Sequence, residues 1–275
     1  MFKQAPLPFV GQKRQFLKYF VTVLNDQIPG DGEGWTIIDT FGGSGLLSHV
    51  AKQLKPKARV IYNDFDGYAE RLAHIDDINA LRAQLYNTVN NVTRKKKISR
   101  ELRAELIRII QDFDGYKDLN SIASWLQFSG NQASSLEDLF SRDFWHLVRK
   151  TDYPSAEGYL DGLEVVHESF HTLLPQFIND PKAVFVLDPP YLCTRQDSYK
   201  QSTYFDLIDF LRLVHITRAP YIFFSSTKSE FPRFIEYMQE DKVDNWQAFV
   251  DAKRIAINAS ASHLGNYEDN MVYKF

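Results

Sequence analysis

The stretch from Gly34 to Asp64 most narrows what this chain can fold into. A short apolar run, Thr36 to Asp39, ends in an acid. The turn "DTFGGSGL" follows, and then Leu46, Leu47, Val50 and Leu54 recur at helical spacing. A second apolar run, "ARVIYNDFD", also ends in acid. Strand, glycine-rich turn, helix, strand, acid is the opening of a doubly wound α/β domain. Gly43 and Gly45 keep Cβ atoms out of the way where the backbone must turn sharply and approach a ligand. The spacing lacks the later glycine of the dinucleotide fingerprint, which weakens a nicotinamide reading. Asp64, about twenty residues past the turn, can accept both ribose hydroxyls of a nucleoside.

From about Tyr68 to Tyr159 the pattern changes to helices: "AERLAHIDDINALRAQLYNTV", "SRELRAELIRIIQDF" and "SLEDLFSRDFWHLVRK". The last two open on Ser ahead of early acids, an N-terminal cap signal. Strand signals return in "LEVVHESF", "AVFVLDPPY" and "PYIFFSST". Helical patterns separate them, and "DAKRIAINAS" with "NMVYKF" can close as an antiparallel pair. The expected organisation is a catalytic domain over 1–67 and 160–275, interrupted by a helical insertion over 68–159. At 275 residues and 44% hydrophobic, the chain can bury one core of roughly 150–200 residues beside that insertion.

"AVFVLDPPYLCT" carries the chemistry. An exocyclic amine such as adenine N6 delocalises its lone pair into the ring and is a poor nucleophile. The Asp188 carboxylate and the Pro189 carbonyl, accepting its two N–H bonds, would pull the nitrogen toward tetrahedral geometry and free that pair. Pro189 and Pro190 fix φ and hold the carbonyl in place. Tyr191 can stack on the base, a contact worth about 1–3 kcal/mol. These parts suit methyl transfer to an amine from a sulfonium donor, driven by positioning and electrostatics.

With these motifs in view, the chain resembles the D12-class, Dam-like DNA adenine N6-methyltransferases. Beside the DPPY motif stand "PLPFVGQKRQFLKYF", similar to that family's PFLKWAGGK segment, and "DTFGGSG", similar to its DPFxGxG loop. "YNDFD", "HESF" and "GNYEDNMVYKF" also fit. The motif order is that of the α-type amino-methyltransferases. The resemblance implies a Rossmann-like core with a mostly parallel seven-stranded sheet and a reversed hairpin edge. It implies S-adenosyl-L-methionine as cofactor, S-adenosyl-L-homocysteine as product, and no metal. The cofactor would lie among Phe9, Lys13, Asp39, Phe41, Gly42, Gly43, Ser44, Gly45, Leu46, Asp64 and Asp188, with Glu168, Ser169 and Phe170 near its adenine. Phe9 takes the family's tryptophan position, and Gln12 replaces the second glycine of GGK. For Phe170, core packing is favoured over direct contact.

The resemblance also makes the insertion a target-recognition region for double-stranded DNA, with the target adenine extruded from the helix. "TRKKKISRELR" places Arg94, Lys95, Lys96, Lys97, Arg100 and Arg103 against one acid, Glu101, a composition suited to phosphates. The net charge of −3 requires any such site to be a local patch. Asn131, Gln132, Ser134 and Arg142 are chemically able to read base edges. The loop "QDSYKQSTYF" is a candidate for closing over the flipped base, and Ser225 to Thr227 for bordering the pocket. Cys193, the one cysteine, has no neighbouring His to activate it and excludes a Cys-rich metal site. His167 and His171 lack the setting of a zinc helix. The chain shows no signal peptide and no long apolar span, so a cytoplasmic protein without membrane contact is expected. A cognate restriction endonuclease is a candidate partner, and a monomer or weak dimer is expected. DNA cytosine N4, RNA adenine, and a catalytically silent DNA-binding module remain the rival readings.

Overall fold

Ala183–Leu187 is buried at all five positions and Tyr221–Ser226 at all six, the signature of central strands covered on both faces. A computed structural model of the protein describes residues 2–128, 133–191, 205–226, 231–243, 245–260 and 266–275. Its sheet contains β1 (Thr36–Asp39), β2 (Arg59–Asn63), β3 (Glu164–Val166), β4 (Ala183–Leu187), β5 (Tyr221–Ser226), β6 (Lys253–Ser260) and β7 (Asn266–Lys274). The strand order is β3-β2-β1-β4-β5-β7-β6. The first five strands run parallel; β7 lies antiparallel to β5, and β6 antiparallel to β7. This is a Rossmann-like α/β architecture, with the reversed hairpin edge that the family resemblance implies.

Strand alternation assigns the two faces. Ile37, Val60, Val184 and Ile222 pack with Phe20, Leu24, Leu47 and Val50 of α1 (Leu17–Gln27) and α2 (Leu46–Leu54). Their neighbours Ile38, Ile61, Phe185 and Phe223 face the other way. They pack with α8 (Phe170–Leu173), α9 (Leu207–Ile216) and α10 (Phe231–Asp241).

Between β2 and β3 the chain forms α3 (Tyr68–Ala73), α4 (Ile75–Val89), α5 (Arg100–Asp112), α6 (Leu119–Leu126) and α7 (Leu136–Ser141). These helices share a third apolar cluster that includes Leu81, Leu85, Leu106, Ile122 and Trp125. Ser99 and Ser135 cap α5 and α7, accepting from Leu102 N–H and Asp138 N–H, as the Ser-plus-acid pattern predicts. Two helical expectations need correction. The first breaks at His74 into α3 and α4. The last, drawn through Lys150, stops at Ser141 because the following backbone is engaged elsewhere. Trp145 N–H and Leu147 N–H donate to the carbonyls of Leu126 and Trp125. Lys95 N–H and Ile98 N–H donate to the carbonyls of His146 and Phe144. The basic run is thereby pinned along the 144–148 segment.

Candidate active site

In an open α/β sheet, ligands gather at the carboxyl ends of the parallel strands. Here those ends carry Asp39 on β1, Asp64 just past β2, Asp188 just past β4 and Ser226 on β5. The loop from Thr40 to Gly45 crosses this rim. Gly43 and Gly45 both take positive φ, 48° and 69°. A Cβ on Gly42 would run into the Tyr62 ring, and one on Gly43 would meet the Phe9 ring at 2.8 Å. The loop carbonyls are tied down by phenols: Tyr62 donates to Gly43 O at 2.8 Å, and Tyr159 donates to Ser44 O at 2.8 Å. Phe41 stays half-buried, while Leu46 is buried at the start of α2.

Asp64 has a more local job than its strand-end position suggests. It is fully buried. Its Oδ1 accepts from Tyr68 N–H at 2.6 Å and its Oδ2 from Ala69 N–H at 2.7 Å, while the Tyr62 hydroxyl, 3.1 Å from Oδ1, shares its one proton between this oxygen and Gly43 O. It therefore secures the first turn of α3. Asn63 beside it joins three segments. Its amide donates to Thr40 O and Glu168 O, and its oxygen accepts from Glu168 N–H. Ser169 caps α8, while Phe170 forms an aromatic group with Phe41 and Phe205, each pair within 6.0 Å. Phe170 is buried in the α8–α10 core, in keeping with the packing role favoured from the sequence.

The acidic centre lies where β1 and β4 pair, with Asp39 opposite Val186. Ser48 donates to Asp39 Oδ2 at 2.6 Å, and Asp39 Oδ1 is buried with no hydrogen-bond partner among the described residues. Burial pushes the Asp39 carboxyl up to about 7, opposed by the Ser48 hydrogen bond and reinforced by Asp188. Asp188 pairs with Lys13, Nζ to Oδ2 at 2.6 Å, and both side chains keep a little solvent exposure, 12% for Lys13 and 17% for Asp188. Burial raises the Asp188 carboxyl, the Lys13 charge and hydrogen bond pull it back, and Asp269 on β7 adds repulsion. Pro189 is buried; Pro190 and Tyr191 are half-buried at the same rim.

The amino-terminal segment brings Lys13 here. Leu7 and the Tyr68 hydroxyl exchange two hydrogen bonds, Arg71 donates to Pro8 O, and Phe9 meets the Tyr68 ring edge-on. Gln12, the departure from the family's glycine, accepts from Ala5 N–H at 3.3 Å.

Away from the rim, the basic run divides. Lys95, Lys96 and Arg100 are exposed with no side-chain partner among the described residues. Lys97 pairs with Asp143, and Arg94 donates to Val148 O. Arg103 turns inward: its guanidinium donates to the carbonyls of Phe140 and Arg142 and lies over the Phe144 ring. Arg142 pairs with Asp138, and Ser134 donates to the same carboxylate. Asn131, Gln132, Cys193, Thr227 and all but Phe205 of the "QDSYKQSTYF" loop lie outside the described residues. No helix among the described residues is long and apolar enough to cross a membrane.

Sequence reasoning missed Tyr62, Tyr159, Asn63 and Ser48, which hold the loop and the acids. The available signal was polar residues inside or beside apolar strand runs, as Tyr62-Asn63 stand directly before Asp64. No protein-family model matches the chain. It is 66% identical over 275 residues to a Haemophilus influenzae protein named "Putative methyltransferase", covering 100% of this chain and 93% of that protein. With the seven-stranded sheet and the glycine loop at its rim, that identity places the chain in the same methyltransferase family.

Proposed function

We propose that the protein transfers a methyl group from S-adenosyl-L-methionine to N6 of an adenine swung out of double-stranded DNA. The observation that carries this reading is Asp188 just past the end of β4, the strand paired with β1, and close enough to Asp39 for its charge to raise that carboxyl. The cofactor fits the residues present: Asp39 Oδ1, a buried acceptor with no donor among the described residues, suits an ammonium group such as that of methionine. Gly43 and Gly45 leave the loop backbone open to close approach. When bound, the cofactor supplies an electrophilic methyl on a sulfonium.

The chain's own residues prepare the acceptor. Asp188 and the Pro189 carbonyl accept the two N–H bonds of the amine, which localises its lone pair. Tyr191 stacks on the base and fixes its plane. With the cofactor bound, methylation would leave the amine nitrogen positive, and the adjacent Asp188 carboxylate would stabilise that charge until the extra proton passes to solvent. The insertion over 68–159 serves target recognition, with Lys95, Lys96 and Arg100 placed for phosphates. Arg103 has a structural share in that region, which its place in the run did not reveal.

Purified protein incubated with labelled cofactor and unmodified DNA, followed by digestion to nucleosides, tests the reading. N6-methyladenine is expected. Asp188→Ala is expected to abolish incorporation while retaining cofactor affinity by calorimetry. N4-methylcytosine would reassign the base, no incorporation would remove DNA as substrate, and equal loss of both properties in Asp188→Ala would make that residue mainly structural.

A further inference from the structure

We propose that Lys13 is a positioning residue of the acceptor half of the site: its ammonium holds one oxygen of Asp188 and leaves the other for the incoming amine. This role rests on the reading of Asp188 given above, and it differs from the cofactor contact that the family resemblance implies for Lys13. The geometry is specific. Lys13 Nζ lies 2.6 Å from Asp188 Oδ2, donates to Gly11 O at 2.9 Å, and sits 5.5 Å from the centre of the Tyr191 ring. An ammonium has three donors, so one contact anchors it to its own segment while another orients the carboxylate. The neighbouring Gln12 side chain ties this segment back by accepting Ala5 N–H.

Electrostatics gives the pair a second task. The charges that act on Asp188 are Lys13 from the amino-terminal segment and Asp269 from β7, while Asp188 in turn raises the Asp39 carboxyl on β1. Burial and Asp269 favour a protonated Asp188, and the Lys13 charge and hydrogen bond oppose them. A protonated carboxyl gives up part of its accepting capacity and presents a donor instead. Lys13 therefore keeps Asp188 an acceptor at the moment the amine arrives. A substrate N–H that takes the other oxygen need not displace the lysine.

Lys13→Met and Lys13→Arg, measured beside the wild type, test this. Three quantities are read: the Kd for S-adenosyl-L-methionine, kcat on unmodified DNA across pH, and the carbon-13 titration of the Asp188 carboxyl in the free protein, assigned with Asp188→Asn. Lys13→Met is expected to keep the cofactor Kd within about twofold and to lower kcat at pH 7 about tenfold or more. The acid limb of its kcat profile moves to higher pH, and the Asp188 titration moves the same way without substrate. Lys13→Arg recovers most of kcat and the wild-type limb; should Lys13→Met not fold, this variant decides by the same titration. Weakened cofactor binding with an unmoved limb would assign Lys13 to the donor half and overturn the proposal, as would an unmoved Asp188 titration. The two readings fail separately. A wild type that methylates no DNA removes the proposed function, while the carboxyl titration still reports on the pair.

Discussion

At the scale of single residues, the rim is a set of carboxylates held in different states by different neighbours. Asp64 accepts the first two backbone N–H groups of α3. Asp188 has a lysine. Asp39 has one serine and an oxygen without a partner among the described residues, and burial lifts it to about 7. An aspartate in an unfolded chain titrates near 3.9, so between about pH 4 and pH 7 the folded state binds the extra proton and stability falls as pH rises. Above about 7 both states are ionised and the penalty is constant. Asp39→Asn removes this titration. Its stability relative to the wild type should therefore improve, on the order of 2 kcal/mol, between pH 5 and pH 8. Denaturant unfolding at both pH values checks this, and a difference independent of pH would contradict the account of Asp39. The sequence made Asp39, Asp64 and Asp188 visible because each follows an apolar run. It could not distinguish their states, since Ser48, Tyr62 and Lys13 reach them through the fold.

At the scale of elements, the strands and the serine-capped helices were legible because each local pattern agreed with the final structure. The 142–150 segment was not. Phe144, Trp145, His146 and Leu147 fall in a run that looks helical in sequence, yet their backbone groups serve the 95–98 and 125–126 segments. Arg103 was hidden for a similar reason, because its acceptors lie 37 and 39 residues away. Beside the Asp64, Tyr68 and Tyr159 hydrogen bonds, one buried ion pair helps to join the helices to the rim. Arg71 of α3 meets Asp118, the cap of α6, at 2.8 and 2.9 Å, and also donates to Pro8 O. Both side chains are almost fully buried. Replacing Arg71 by Met leaves the Asp118 charge without its partner, a change that costs about 3–5 kcal/mol. It also frees the segment that carries Phe9 and Lys13. Chemical denaturation should show the destabilisation, and hydrogen exchange should show faster opening across Leu7–Lys13. Wild-type exchange there would contradict the proposed coupling.

At the scale of the whole molecule, a net charge of −3 would leave the proposed DNA binding to a local patch, and the exposed cations of the run with no partner among the described residues are Lys95, Lys96 and Arg100. Replacing all three by Gln should flatten the dependence of log K on log salt by about 0.9 for each phosphate that is no longer neutralised, with little change in stability. Arg103→Gln should lower stability instead, because it strips donors from two carbonyls and a cation from the Phe144 ring. Fluorescence binding titrations over a salt series, paired with melting curves, separate the two outcomes. An unchanged slope in the triple variant would move the DNA surface elsewhere.

The most direct measurement is base-modification sequencing of genomic DNA from a host without adenine methylation that expresses this protein. N6-methyladenine confined to one short sequence context is the predicted result, absent when the expressed chain carries Asp188→Ala. Unmodified adenine throughout, with the folded protein present, would contradict the central claim.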